Sequence, residues 1–84
     1  MQVGTQFSGT VAAGAIQKWF THSWPPDWHV VWTVVPTTAG AGAAQIDWDV
    51  EVQRASPTAV TYWITVRNLS AAPVSIEARY EVLN

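Results

Sequence analysis

The stretch Gln45-Ile46-Asp47-Trp48-Asp49-Val50-Glu51-Val52-Gln53 decides the fold class. Apolar and acidic side chains alternate with a period of two. Ile46, Trp48, Val50 and Val52 therefore face one way and Asp47, Asp49 and Glu51 the other, as expected for a half-buried β-strand. Residues 60–67 repeat the pattern, with Val60, Tyr62, Ile64 and Val66 inward and Thr61, Trp63, Thr65 and Arg67 outward. Residues 74–83 do so again, with Val74, Ile76, Ala78, Tyr80 and Val82 inward. The inward positions are even-numbered in all three. The turn-like connections Ala55–Ala59 and Asn68–Pro73 predict a three-stranded antiparallel meander, with pairs such as Val50–Tyr62 and Ile64–Ile76 on one face.

The N-terminal half is less regular. Residues 2–11 alternate Val3, Thr5, Phe7, Gly9 and Val11 against Gln2, Gly4, Gln6, Ser8 and Thr10, a strand weakened by its glycines. Residues 16–22 form a second strand after the turn Ala12–Ala15. Pro25 and Pro26 cannot join a β-ladder, so residues 23–28 read as a rigid loop. Residues 29–35 are almost continuously apolar, which predicts a strand buried on both faces. Residues 36–44, rich in glycine and alanine, read as a loop. No helical period, repeat or linker occurs. The whole chain, 1–84, reads as one all-β domain: a small antiparallel β-sandwich or barrel of about six strands.

Composition narrows the chemistry. With 84 residues and no cysteine, the domain has a small core and no disulfide. Oligomerisation is one route to added stability. Charged residues make up 12% of the chain, against about 25% in a typical globular protein. Residues 1–44 carry only Lys18 and Asp27, whereas the other forty residues carry eight charges. A half-domain this poor in charge suggests an apolar interface. The net charge of −2 and four scattered basic residues do not make the basic stripe that nucleic acid requires. No apolar run is long enough for a transmembrane segment. The start, Met-Gln-Val-Gly, lacks the basic and apolar regions of a signal peptide; an extracellular or cell-surface location would imply one already removed.

The segments Tyr62-Trp-Ile-Thr-Val-Arg-Asn68 and Pro73-Val-Ser-Ile-Glu-Ala-Arg-Tyr80 resemble bacterial immunoglobulin-like β-sandwich modules of surface proteins. The resemblance covers about half the chain. It implies a binding or spacer role and carries over no site residue.

No nucleophile, base and orienting group come as a set, so no catalytic residue and no cofactor are expected. Two histidines and Asp27 around the proline loop are a thin basis for a metal site, and none is assigned. Asp47, Asp49 and Glu51 read as a solvated sheet face. Asn68-Leu69-Ser70 fits a glycosylation sequon and equally a turn asparagine. Six tryptophans carry most of the functional signal. Trp32 and Trp48 are the expected core residues. Trp24 and Trp28 on the loop, with Asp27, His22 and His29 beside them, and Trp63 on a polar face, form the expected ligand-binding set. Exposed indoles stack on sugar rings, anchor protein contacts or sit at membrane interfaces. The leading expectation is a non-catalytic carbohydrate-binding module or small homo-oligomeric lectin. The alternative is an assembly subunit that self-associates through its uncharged N-terminal half. A membrane-interface binder is the third reading.

Overall fold

The computed structural model describes all 84 residues as six antiparallel strands in two three-stranded sheets, without helix. The strands are β1 (Gln2–Val11), β2 (Ile16–Trp24), β3 (Val30–Pro36), β4 (Ile46–Ser56), β5 (Ala59–Asn68) and β6 (Val74–Val82). The first sheet has the order β1-β6-β3 and the second β2-β5-β4. The architecture is the small β-sandwich expected from the alternation, elongated to 43 × 23 × 16 Å.

The sheets pack through Val11, Trp32, Val34, Ile64, Val66, Val74, Ile76 and Ala78, with Phe7, Trp19, Trp24, Tyr62 and Tyr80 around them. The central strands β5 and β6 supply most of the core. The meander is corrected here. β4 and β5 form a hairpin closed by Pro57 and Thr58, but β5 and β6 lie in different sheets. Ile64 and Ile76 are both fully buried between the layers rather than side by side. Val50 lies opposite Ile64, and Tyr62 opposite Val52. Alternation cannot separate these cases, because pairing alongside and packing across both turn the same residues inward.

Asn68 explains why the chain changes sheet at residues 69–73. Its side chain is buried. Nδ2 donates to the carbonyls of Val11 (3.0 Å), Ala12 (3.2 Å) and Ala72 (2.8 Å). Oδ1 accepts from the Ser70 amide (2.8 Å) and hydroxyl (2.7 Å). The crossover β1→β2 supplies the first two carbonyls, and the crossover β5→β6 supplies the remaining partners. One amide thus ties two passages between the layers, which settles the sequon: Asn68 is a structural turn asparagine with its nitrogen occupied.

Three further expectations give way. In β1 an extra residue at Gln6 makes a bulge between Thr5 and Phe7. Phe7, Gly9 and Val11 point inward as expected, but Val3 and Thr5 turn out to solvent. In β3, Trp32 and Val34 are buried but Val31 is exposed, so only one face is covered. In β4 the inward row has no lid: Trp48 is 37%, Val50 36% and Val52 63% exposed. Trp48 is therefore not a core residue. The period correctly marks its face, but β3, the last strand of the opposite sheet, leaves that face uncovered.

Candidate functional site

Strand parity places Ile16, Lys18, Phe20 and His22 of β2 on the outer face of the second sheet. Beside them lie Arg67, Thr65, Trp63 and Thr61 of β5, then Asp47, Asp49, Glu51 and Gln53 of β4. The register sets Phe20 opposite Trp63 and Trp63 opposite Glu51. Two aromatic rings therefore meet in the middle of the face, their centroids 5.3 Å apart and tilted by 34°. The His22 ring continues the row, 6.0 Å from Phe20.

Polar groups frame these rings. Lys18 Nζ stands 5.8 Å from the Trp63 ring centroid and pairs with Glu51 at 2.8 Å. Trp63 Nε1 donates to Gln53 Oε1 at 3.4 Å, a long and weak bond. His22 Nδ1 lies 3.0 Å from the Ser23 hydroxyl. Arg67 bridges Asp47 and, at 2.9 Å, Asp49. The hydrogen bonds it donates to Asp49 and then Asp47 hold its guanidinium pKa further up. The acids expected to be merely solvated thus each have a cation. Two cations against three carboxylates leave the face near neutrality. Phe20 stays 58% exposed, and a shallow depression of about 350 Å³ opens on the β4 side of Trp63, lined by Lys18, Glu51, Val52, Gln53 and Trp63.

Comparison of the chain with protein-family models, curated proteins and solved structures finds no match. The site is therefore read from its own geometry.

That geometry divides the six expected ligand-binding residues. His22 and Trp63 come together on the outer sheet face, joined by Phe20, Lys18, Glu51 and Gln53. Trp24, Asp27, Trp28 and His29 lie elsewhere, at one end of the sandwich. The division arises at Ser23. Its backbone adopts the left-handed conformation (φ 67°), and between Thr21 and Trp24 two residues of β2, His22 and Ser23, stand against one of β5, Thr61. This bulge keeps His22 outside and rotates Trp24 inside. The expectation of a sugar-stacking Trp24 is corrected accordingly. Its ring packs with Trp28, Trp32, Tyr62 and Tyr80 at centroid distances of 5.5–6.4 Å. Its Nε1 donates to the buried Thr21 hydroxyl at 2.8 Å. Burial raises the Tyr62 phenol pKa, as desolvation of a phenolate requires.

Trp28 covers this aromatic cluster as a half-buried residue. Asp27 and His29 are exposed on the proline loop, which Asn84 fastens. Asn84 Oδ1 accepts from the His29 amide at 2.9 Å, and its Nδ2 donates to the Asp27 carbonyl at 3.3 Å. No three His, Asp or Glu side chains gather as metal ligands. Sequence reasoning missed Phe20 because it treated residues 16–22 as undifferentiated. Parity with Lys18 and His22 would have placed it on the polar face.

Proposed function

We propose that this protein is a non-catalytic carbohydrate-binding module whose ligand lies on the outer face of the β2-β5-β4 sheet. The observation that carries the reading is the exposed Phe20 ring set against Trp63, framed by Lys18, His22, Glu51 and Gln53. A pyranose has an apolar C–H face and an equatorial belt of hydroxyls. The first matches an aromatic platform, and the second matches a rim of carboxylate, amide, imidazole and ammonium groups. Near-neutrality of the face suits an uncharged ligand better than a polyanion. The rigid sheet holds the platform in place, so little ordering entropy opposes docking.

One stacked ring and a few hydrogen bonds give a weak single site, on the order of 0.1–1 mM. The test is an NMR titration of the labelled chain with soluble oligosaccharides chosen from a glycan array. Phe20→Ala and Trp63→Ala are expected to weaken binding about tenfold or more, equivalent to at least 1.4 kcal/mol. Near-UV circular dichroism serves as the check on folding. An array without a hit, or binding unchanged in both folded variants, refutes the reading.

A further inference from the structure

Each sheet has two edge strands, and three of the four edges in the molecule are guarded. An open edge presents unpaired N–H and C=O groups, so proteins protect it with charges, bulges or prolines. β1 carries the bulge at Gln6. β2 carries Lys18 and the bulge before Trp24. β4 carries Asp47, Asp49, Glu51 and Arg54, with a bulge between Arg54 and Ser56. β3 has none of these along its length. Its sequence is Val30-Val-Trp-Thr-Val-Val-Pro36, uncharged, and its register against β6 runs without interruption from Val30 opposite Val82 to Pro36 opposite Ile76. Proline enters only at the last position.

The uncovered row Trp48, Val50 and Val52 belongs to the same side of the molecule. It faces the layer of the first sheet, and that layer stops at β3. Continuing the first sheet beyond β3 would extend its cover towards this row. A single event would therefore satisfy the open backbone of one sheet and the apolar face of the other.

We propose that β3 pairs antiparallel with β3 of a second copy of this chain, joining two first sheets into one of six strands. The strand is complementary to itself. With Thr33 on the two-fold axis, Val31 meets Val35 of the other copy, Thr33 meets Thr33 and Trp32 meets Val34. Such β-branched and aromatic pairs favour strand pairing, and no like charges oppose one another. The β4 row adds an exposed apolar patch on the inner side of the joined sheet, and Val31, 46% exposed, packs beside Val35 of the other copy on its outer side. Stable dimers bury about 800 Å² per partner, so an interface of one short strand and this patch forms a weak dimer, at micromolar rather than nanomolar concentration. The outer face of the second sheet stays free in this arrangement, so the inference stands apart from the carbohydrate reading.

Sedimentation velocity across micromolar to submillimolar concentration tests it. The parent is expected to pass from the 9.2 kDa monomer to a species of twice that mass. Thr33→Lys brings two ammonium groups together at the axis, and Val52→Lys charges the row that the second copy covers. Each is expected to raise the dimer dissociation constant about tenfold or more. Both side chains lie outside the core, and a thermal melt confirms folding; Val52→Lys decides the matter if Thr33→Lys does not fold. Ile16→Lys, on the opposite side, is expected to leave the dimer intact. A parent that stays monomeric, a dimer indifferent to the β3 and β4 substitutions, or one broken by Ile16→Lys instead overturns the proposal.

Discussion

Replacing Asn68 by alanine removes the tie between the two crossovers. The amide makes two acceptor bonds to Ser70 and shares its two N–H hydrogens among three carbonyls. A buried hydrogen bond contributes about 1 kcal/mol net, and a buried group left without a partner costs about 1–3 kcal/mol. Val11 is fully buried, so its carbonyl is cut off from water. The Ser70 and Ala72 groups lie at the surface and recover solvent. Two lost donors, one lost acceptor and one orphaned carbonyl sum to about 4–6 kcal/mol. For a chain of 84 residues, total stability is about 4–13 kcal/mol, so Asn68→Ala removes a large share of it. The melting temperature is expected to fall by at least about 16 °C. Urea unfolding followed by tryptophan fluorescence measures the loss. Asn68→Asp has nearly the same shape but sets a carboxylate against three carbonyl oxygens. Its folded-state pKa is then raised above the unfolded value, so folding binds a proton. The defect relative to the parent deepens as pH rises from acid through the unfolded pKa of about 3.9 towards the raised folded value. A loss below about 1 kcal/mol for Asn68→Ala, or an Asn68→Asp defect that does not grow with pH, would refute this account of the crossovers.

Trp24→Ala is expected to cost about 3 kcal/mol, because it empties the aromatic end of the core and frees the Thr21 hydroxyl; a thermal melt with near-UV circular dichroism reads both effects. Gly9→Ala is expected to cost about 1–3 kcal/mol, since a β-carbon there would stand 2.7 Å from the Trp19 ring, which is already stacked on Phe7; loss of near-UV signal should accompany the lower melting point. Glu77 has its pKa lowered first by the hydrogen bond from Thr5, at 2.8 Å, and then by Arg79. A depressed carboxyl contributes stability above its unfolded pKa and loses it as pH falls through the folded value, so Thr5→Val should raise the Glu77 pKa in an NMR titration and reduce this acid-limb dependence.

What the amino-acid order determined by itself was the all-β class, the six strands to within three residues, and which face of most strands turns inward. Strict alternation leaves few other ways to hide apolar side chains, as Ile64, Val66, Ile76 and Ala78 show by their burial. Tertiary structure decided the rest, for three physical reasons. Inward-facing does not mean covered, and Trp48 and Val52 are exposed because a strand's cover belongs to a different strand. Bulges shift parity by one residue, which turned Val3 outward and Trp24 inward and so split the expected ligand-binding set between a core end and a sheet face. Sheet membership depends on how a turn is held, and the Asn68 amide finds its partners 57 residues away at Val11 as well as nearby at Ser70 and Ala72. The joining of Phe20, His22 and Trp63 into one platform is of the same kind. Parity placed each on its face, but only the pairing register of β2 with β5 set the rings together.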